Sequence, residues 1–335
     1  MLNLKKRILI SGAAGAIGFE TLKKLLLHLD KYEIRVLAKK TFKHKRLLDK
    51  YRNKTELIYG DIRDKNCCDT ISKGVDFVIH LAAVIPPKAD FNTGLTKEVN
   101  VDGTKNLINS LEINSPNAFF LYTSSISVYG DRLANPWIKV GDKLLPSKND
   151  YYGQTKIEAE SIVQRTKLNW SIFRLTAIMH PKQEIDPLMF HMPLETKMEI
   201  CTTDNTATAL IKAIENPEKL NGKIFNLGGG EKCRVTYEDF LNNCLKLSGL
   251  GENAFPKKAF ALNNFHCGYY EDTNSLNDIL NFQTHTINDY YQQFGKESAG
   301  IKKLMASIFK PIIVSYFLYN SKRLNSKYYK KNHPA

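Results

Sequence analysis

Seven short apolar runs recur along the first 230 residues: Arg7–Ile10, Ile34–Ala38, Leu57–Tyr59, Asp76–His80, Ala118–Tyr122, Trp170–Arg174 and Ile224–Leu227. None of them alternates apolar with polar residues, so strands built from them need cover on both faces. The segments between them have helical spacing. Leu22, Leu25, Leu26 and Leu29 follow i, i+3, i+4, i+7, as do Thr104, Leu107, Ile108 and Leu111. Strand alternating with helix calls for parallel strands joined by crossovers. The fold class expected is α/β: a doubly wound parallel-sheet domain with a smaller mixed C-terminal lobe.

The texture changes after Arg174. Residues 175–200 carry Pro181, Pro187 and Pro193 and read as an irregular lid or loop. A helix is expected to start near Asp204, with Asp204 as its cap, and to run through Ala209, Leu210, Ala213 and Ile214. Gly228, Gly229 and Gly230 follow a strand with no clear helix behind them, so a turn is expected there rather than a phosphate site. The expected division is a nucleotide-binding domain over 1–175, with 201–228 returning to it. A substrate lobe would comprise 176–200 and 229–295, followed by a basic tail over 296–335.

Bulk properties exclude several classes. The chain has 335 residues, 43% hydrophobic and 24% charged, which is ordinary globular composition. No run approaches the roughly 20 apolar residues needed to span a bilayer, and Met1 to Arg7 leads straight into a strand without a signal-peptide pattern. Six cysteines without a C-x-x-C pair support neither a disulfide framework nor a metal site. A cytoplasmic protein is expected. The net charge of +14 is uneven: residues 296–335 hold nine Lys or Arg against one acid, Glu297. The basic character belongs mainly to the tail, which argues against a nucleic-acid partner.

The strongest local signal is Ile8-Leu9-Ile10-Ser11-Gly12-Ala13-Ala14-Gly15-Ala16-Ile17-Gly18. A strand leads into three glycines, and a helix opens at Ala16 and Ile17. Gly12 permits the tight turn, Gly15 lets the backbone approach a pyrophosphate, and Gly18 lets helix pack on strand. Free N–H groups and the helix dipole then favour an anion.

The G-x-x-G-x-x-G spacing resembles that of the short-chain dehydrogenase/reductase superfamily. The chain is similar to its extended branch, which includes the NAD-dependent epimerase/dehydratase family, over roughly residues 7–290. The further motifs that carry the resemblance are Gly60-Asp61-Ile62, His80-Leu81-Ala82-Ala83, Asn100-Val101-Asp102-Gly103-Thr104, Ser124-Ser125-Ile126-Ser127-Val128-Tyr129-Gly130 and Tyr152-Gly153-Gln154-Thr155-Lys156. The resemblance implies a Rossmann domain and an NAD(P)-dependent oxidoreductase. It also implies Asp61 and Ile62 against the adenine, and Leu81, Ala82 and Ala83 beneath the cofactor.

The end of the second strand reads Val36-Leu37-Ala38-Lys39-Lys40, with no carboxylate to accept from a ribose hydroxyl. A lysine there suits a 2′-phosphate. NADP is therefore the expected cofactor, with Lys39 as its phosphate partner and NAD as the alternative.

Tyr152 and Lys156 lie four apart on a helical pattern, so phenol and ammonium share one face. A phenol with a pKa near 10 is a poor base at neutral pH, and a nearby cation favours its ionised form. Tyr152 would move the proton of the reacting oxygen while hydride passes to or from a nicotinamide. The resemblance implies two further roles: Lys156 binding the nicotinamide ribose, and Ser125 donating to the reacting oxygen. Asn100 is expected at the cofactor, supporting the Lys156 region through water or the cofactor itself.

Two departures bear on the substrate. Sugar-nucleotide members of the resembled family carry Arg-x-x-Asn after the sixth strand; this chain has Arg174-Leu175-Thr176-Ala177. No Arg lies between Arg174 and Asp204. A carbonyl or alcohol substrate is therefore expected, with a nucleotide-sugar epimerase or dehydratase holding NAD as the alternative. A non-catalytic NADP-binding sensor or assembly protein comes third. Met179, Leu188, Met189, Phe190 and Met192 read equally as a substrate lining or as packing. In the tail, Ile301, Leu304, Met305, Ile308 and Ile312 have helical spacing among lysines, and Pro311 interrupts it. That pattern suits peripheral contact with a membrane. Packing on the body, or on a dimer partner, is the alternative.

Overall fold

A computed structural model describes residues 5–183, 185–262 and 266–332, with the side chains of 322–332 outside the description. Its strands are β1 (Lys6–Ser11), β2 (Tyr32–Ala38), β3 (Glu56–Tyr59), β4 (Phe77–His80), β5 (Phe119–Ser125), β6 (Trp137–Ile138), β7 (Asn169–Leu175), β8 (Ala177–Met179), β9 (Lys197–Thr202), β10 (Lys223–Leu227), β11 (Arg234–Thr236) and β12 (Tyr269–Tyr270). All seven apolar runs of the sequence lie in one seven-stranded sheet, in the order β10-β7-β5-β4-β1-β2-β3. Every pairing within it is parallel.

Successive residues of these strands feed opposite faces. Ile8 and Ile10 join one apolar layer with Phe77, Ile79, Phe119 and Leu121. Leu9, Val78, Phe120 and Tyr122 join the layer on the other side. This is why the strands read as continuous apolar runs: both faces are covered by helices, and a side-chain period of two cannot show when both faces are dry. The strand order runs outward from β1 in one direction and from β4 in the other, so a crevice opens between their carboxyl ends.

A second apolar cluster gathers Phe190, Met198, Ile200, Tyr237, Phe240, Leu245, Phe255, Tyr290 and Phe294. Met179, Met189 and Met192 pack against it, so these side chains and Phe190 form packing and do not line the main cavity. The segment expected to be irregular contains β8, the turn Pro187–His191 and β9. β9 pairs parallel with β8 and antiparallel with β11. Its sequence, Lys-Met-Glu-Ile-Cys-Thr, hid the strand because Glu199 is fully buried within it. That carboxylate takes hydrogen bonds from Gly230 N, Arg234 Nε and Tyr270 N at 3.0, 3.0 and 3.2 Å. The Gly228–Gly230 segment is thus a turn wrapped on the Glu199 side chain, which would lie 2.1 Å from a Cβ at position 228.

The following helix, Thr203–Ile214, is capped by Thr202, whose hydroxyl accepts from Asn205 N at 3.1 Å. Asp204 lies in the first turn and pairs with Lys24 at 2.8 Å. The cap therefore belongs two residues earlier than the sequence suggested. A hydroxyl at the strand end reaches the free N–H groups without leaving the β conformation.

Candidate active site

The turn after β1 is built to receive an anion. Gly12 sits at φ +76°, and a Cβ there would meet Leu81 C and Ala82 N at 2.7 Å. Gly15 is the N-cap of the helix Ala16–Leu25; it offers no side-chain cap, and the first turn holds no acidic residue. The leading N–H groups of that helix thus remain for a ligand. A Cβ on Gly18 would lie 2.2 Å from the Gly12 carbonyl oxygen, so only glycine lets helix and turn approach this closely.

A buried chain of hydrogen bonds fixes the turn to its neighbours. The Ser11 hydroxyl meets His80 Nδ1 at 2.7 Å, and His80 Nε2 meets Thr104 Oγ1 at 3.0 Å. Leu81 N and Ala82 N both donate to Ser11 Oγ at 3.2 Å. Burial, with Lys156 nearby, pushes the imidazole of His80 down to about 3, so it stays neutral and serves the network as a hydrogen-bonding bridge.

Above the carboxyl ends of the strands lies a cavity of about 600 Å³. Gly12, Gly15, Ala16, Ile17, Gly18, Lys39, Ile62, Leu81, Ala82 and Ala83 line it, together with Ser125 and Tyr152. The helix Tyr151–Gln164 starts beside it, capped by Asp150, whose carboxylate accepts from Gly153 N at 2.8 Å. Tyr152 and Ser125 face the same space; burial raises the phenol above its usual pKa, and the serine hydroxyl opposes that rise. Lys156 is buried behind Tyr152 and lies outside the cavity wall. Its Nζ donates to Thr123 O at 2.8 Å and sits 4.8 and 5.7 Å from the ring centres of Tyr122 and Tyr152. Burial pushes this ammonium down to about 7, with Glu160 opposing.

Residues 9–174 match the 3-beta hydroxysteroid dehydrogenase/isomerase family. Among curated proteins, the chain is 24% identical over 229 residues to UDP-N-acetylglucosamine 4,6-dehydratase (inverting) of Campylobacter jejuni subsp. jejuni, covering 68% of this chain and 65% of that one. It is 31% identical over 169 residues to the 3 beta-hydroxysteroid dehydrogenase/Delta 5-->4-isomerase of Mycobacterium tuberculosis, covering 47% and 42%. The 4-epimerase of N-acetyl-alpha-D-glucosaminyl-diphospho-ditrans,octacis-undecaprenol from Escherichia coli O157:H7 is 33% identical over 127 residues, 36% of each chain. The matched segments thus span less than two thirds of these relatives. Among solved structures, UDP-glucuronic acid 4-epimerase of Bacillus cereus, in complex with UDP-glucuronic acid and NAD, superposes with a TM-score of 0.72 at 19% identity. That match covers 87% of this chain and 98% of the other. The dTDP-glucose 4,6-dehydratase DesIV of Streptomyces venezuelae, with NAD bound, gives 0.72 at 20% identity over 87% and 96%.

Over just under half of its length the chain is thus similar to the 3-beta hydroxysteroid dehydrogenase/isomerase family, and it shares the fold of the epimerase and dehydratase structures.

Besides Lys156, two further sequence-derived positions, Asp61 and Asn100, lie off the cavity wall. Asp61 is engaged sideways: Arg63 Nη2 reaches it at 2.9 Å and Lys39 Nζ at 3.8 Å, and the Arg63 hydrogen bond holds the carboxyl below its usual pKa. Asn100 is buried and clamps the turn after β4. Its Oδ1 accepts from Val84 N at 2.7 Å, and its Nδ2 donates to Val84 O at 3.0 Å and to Thr155 Oγ1 at 3.1 Å. It reaches the helix of Tyr152 and Lys156 directly, with no need of a water or a cofactor.

Arg174 is likewise spoken for. It forms a two-pronged pair with Glu160 at 3.0 and 2.7 Å, both side chains almost fully buried, and donates to Tyr129 OH at 2.8 Å. The cavity also draws on His44, Ser124, Thr176, Thr203 and His266, which the sequence did not single out. Ser124 sits inside the quoted Ser124-Ser125 motif, and its buried hydroxyl has no protein partner. The others come from distant stretches of chain and carry no local pattern that could have flagged them.

Proposed function

We propose that this chain is an NAD(P)-dependent oxidoreductase acting on a carbonyl or alcohol compound, with Tyr152, Lys156 and Ser125 as its reacting constellation. The observation that carries the reading is Tyr152 beside Ser125 in the cavity wall, backed by Lys156. A bound nicotinamide would supply the acceptor or donor of hydride. The cavity fits such a dinucleotide: an uncapped helix N-terminus and a turn that tolerates no Cβ both face the same space.

Ser125 would orient the substrate oxygen, and Tyr152 would hand it a proton or remove one. Lys156 at about 7 is poised to change charge in the working range, so it would favour the phenolate when protonated. Leu81, Ala82 and Ala83 floor the cavity and keep water from the reacting atoms.

NADP is the cofactor we favour. β2 ends without a carboxylate, and Lys39 and His44 both line that end of the cavity, with His44 Nδ1 3.1 Å from Lys39 O. A 2′-phosphate there would meet two nitrogen side chains. The substrate end offers no arginine among the described residues, and Arg174 is consumed by Glu160. A sugar diphosphate would lack a cationic partner there, which supports a simpler carbonyl or alcohol substrate.

A nucleotide-sugar epimerase or dehydratase is the second reading, favoured by the NAD-containing structures that superpose on this chain. Mass spectrometry of nucleotide released from the protein, followed by an NADPH-oxidation screen over aldehydes, ketones and nucleotide sugars, separates the two. NADP with net oxidation of NADPH is expected. Retained NAD with redox-neutral conversion of a nucleotide sugar would overturn the first reading. We place the protein in the cytoplasm, with peripheral contact at a membrane face through residues 296–335.

A further inference from the structure

The tail was expected either to pack on the body or to meet a membrane, and its two helices carry the means for both. Helices Ile301–Ile308 and Lys310–Asn332 follow one another, broken at Phe309. One face is clamped down. Ala306, Ile313, Val314, Phe317 and Leu318 pack on the C-terminal cluster, Phe317 meets Phe255 at 5.9 Å between ring centres, and Ser307 Oγ donates to Gly249 O at 2.8 Å.

The other face is bare. Ile301, Leu304, Met305 and Ile308 are exposed, and the strip continues through Phe309, Ile312, Tyr316 and Tyr319. At 3.6 residues per turn, Ile312, Tyr316 and Tyr319 fall on the side opposite Ile313, Val314, Phe317 and Leu318. Exposures in the strip run from 42% to 80%. At roughly 100 Å² for each of these side chains, it exceeds the ~300–600 Å² of the largest apolar patch on a typical soluble monomer.

Charge selects the occupant. Lys302 and Lys303 are exposed on the first of the two helices, and the 296–335 segment carries nine basic residues to one acid. Two copies meeting through this face would bring like charges together, whereas anionic lipid headgroups complement them. Tyr316 and Tyr319 are side chains of the kind that settle at the headgroup level. No described helix is long and apolar enough to cross a membrane, so the contact lies in the interface.

We propose that this tail is a two-faced strap, one face fastened to the C-terminal lobe and the opposite face docking on an anionic bilayer. The strap also rests on the turn Pro187–His191, in the connection between β8 and β9, and Ile178 of β8 lines the main cavity. Docking therefore fixes the orientation of the substrate lobe relative to the lipid. This inference rests only on the localisation part of the reading above; the oxidoreductase assay runs without lipid, so either can fail while the other stands.

The test is co-sedimentation of the full-length protein with phosphatidylcholine vesicles, with and without phosphatidylglycerol, comparing wild type with the triple variant Leu304→Glu, Ile308→Glu, Ile312→Glu. All three positions are exposed, and an unchanged circular-dichroism spectrum and melting temperature check the variant's fold. Wild type is expected to pellet with phosphatidylglycerol vesicles, less so at high salt, and the variant to bind about tenfold more weakly or worse. Equal pelleting of the two proteins, or no pelleting of wild type, overturns the proposal. So does a wild-type dimer that the variant dissolves in sedimentation velocity without lipid binding, an outcome that assigns the strip to a second copy of the chain.

Discussion

Replacing Lys156 by methionine should stabilise the folded protein below neutral pH while removing its chemistry. The ammonium is 4% exposed, and burial pushes it from 10.5 down to about 7. Between those values the unfolded chain holds a proton that the folded chain has released, so stability rises with pH across that window. Below pH 7 both states are protonated and the folded state bears the full burden. At 1.36 kcal/mol per pH unit, that burden is roughly 5 kcal/mol. Methionine has nearly the same length and no charge. It loses the bond to Thr123 O, about 1 kcal/mol plus the cost of an unpaired carbonyl. A net gain of roughly 2–3 kcal/mol at pH 6 follows, or about 3–4 °C in melting temperature for a chain of this length. Thermal unfolding of both proteins from pH 6 to pH 10 reads this directly. The advantage of the variant should be largest at pH 6 and shrink steadily as wild type sheds its proton. An advantage that does not change with pH, or a wild type that is the more stable at pH 6, would refute the argument that this ammonium is held against its solvation.

Three further outcomes follow from the same geometry. Tyr152→Phe should lower kcat by about 10²- to 10⁴-fold, the range for a lost acid–base group, with nucleotide affinity by fluorescence titration nearly unchanged. Glu160→Gln strands the buried Arg174 guanidinium and should cost about 3–5 kcal/mol, read as a lower urea midpoint; an unchanged midpoint would mean the pair is not buried in solution. Gly18→Ala puts a methyl 2.2 Å from the Gly12 carbonyl oxygen and should abolish nucleotide retention, which isothermal titration would show.

Much of the molecule is legible in its sequence wherever the information is local. The seven strands stand out because a sheet covered on both faces demands uninterrupted apolar runs, and the glycines because the turn admits no Cβ at Gly12 or Gly18. Tyr152 and Lys156 are legible because helical spacing alone puts them on one face. β9 is not, since its buried Glu199 looks like a surface residue until Arg234 and the Gly230 and Tyr270 amides arrive from elsewhere in the chain. The cap at Thr202 is masked by Asp204, which serves Lys24 instead.

The sequence by itself determined the sheet, its phosphate turn and the pairing of a phenol with an ammonium, because each depends on spacing within a dozen residues. Only the tertiary structure decided that Lys39 reaches Asp61, that Arg174 is consumed by Glu160, and that His44, Thr176, Thr203 and His266 complete the cavity. It also divided the tail into a fastened face and a bare one. Those outcomes depend on contacts between residues far apart in the chain. Which partner a charged or apolar side chain meets is set by how the layers pack, and no local pattern encodes it.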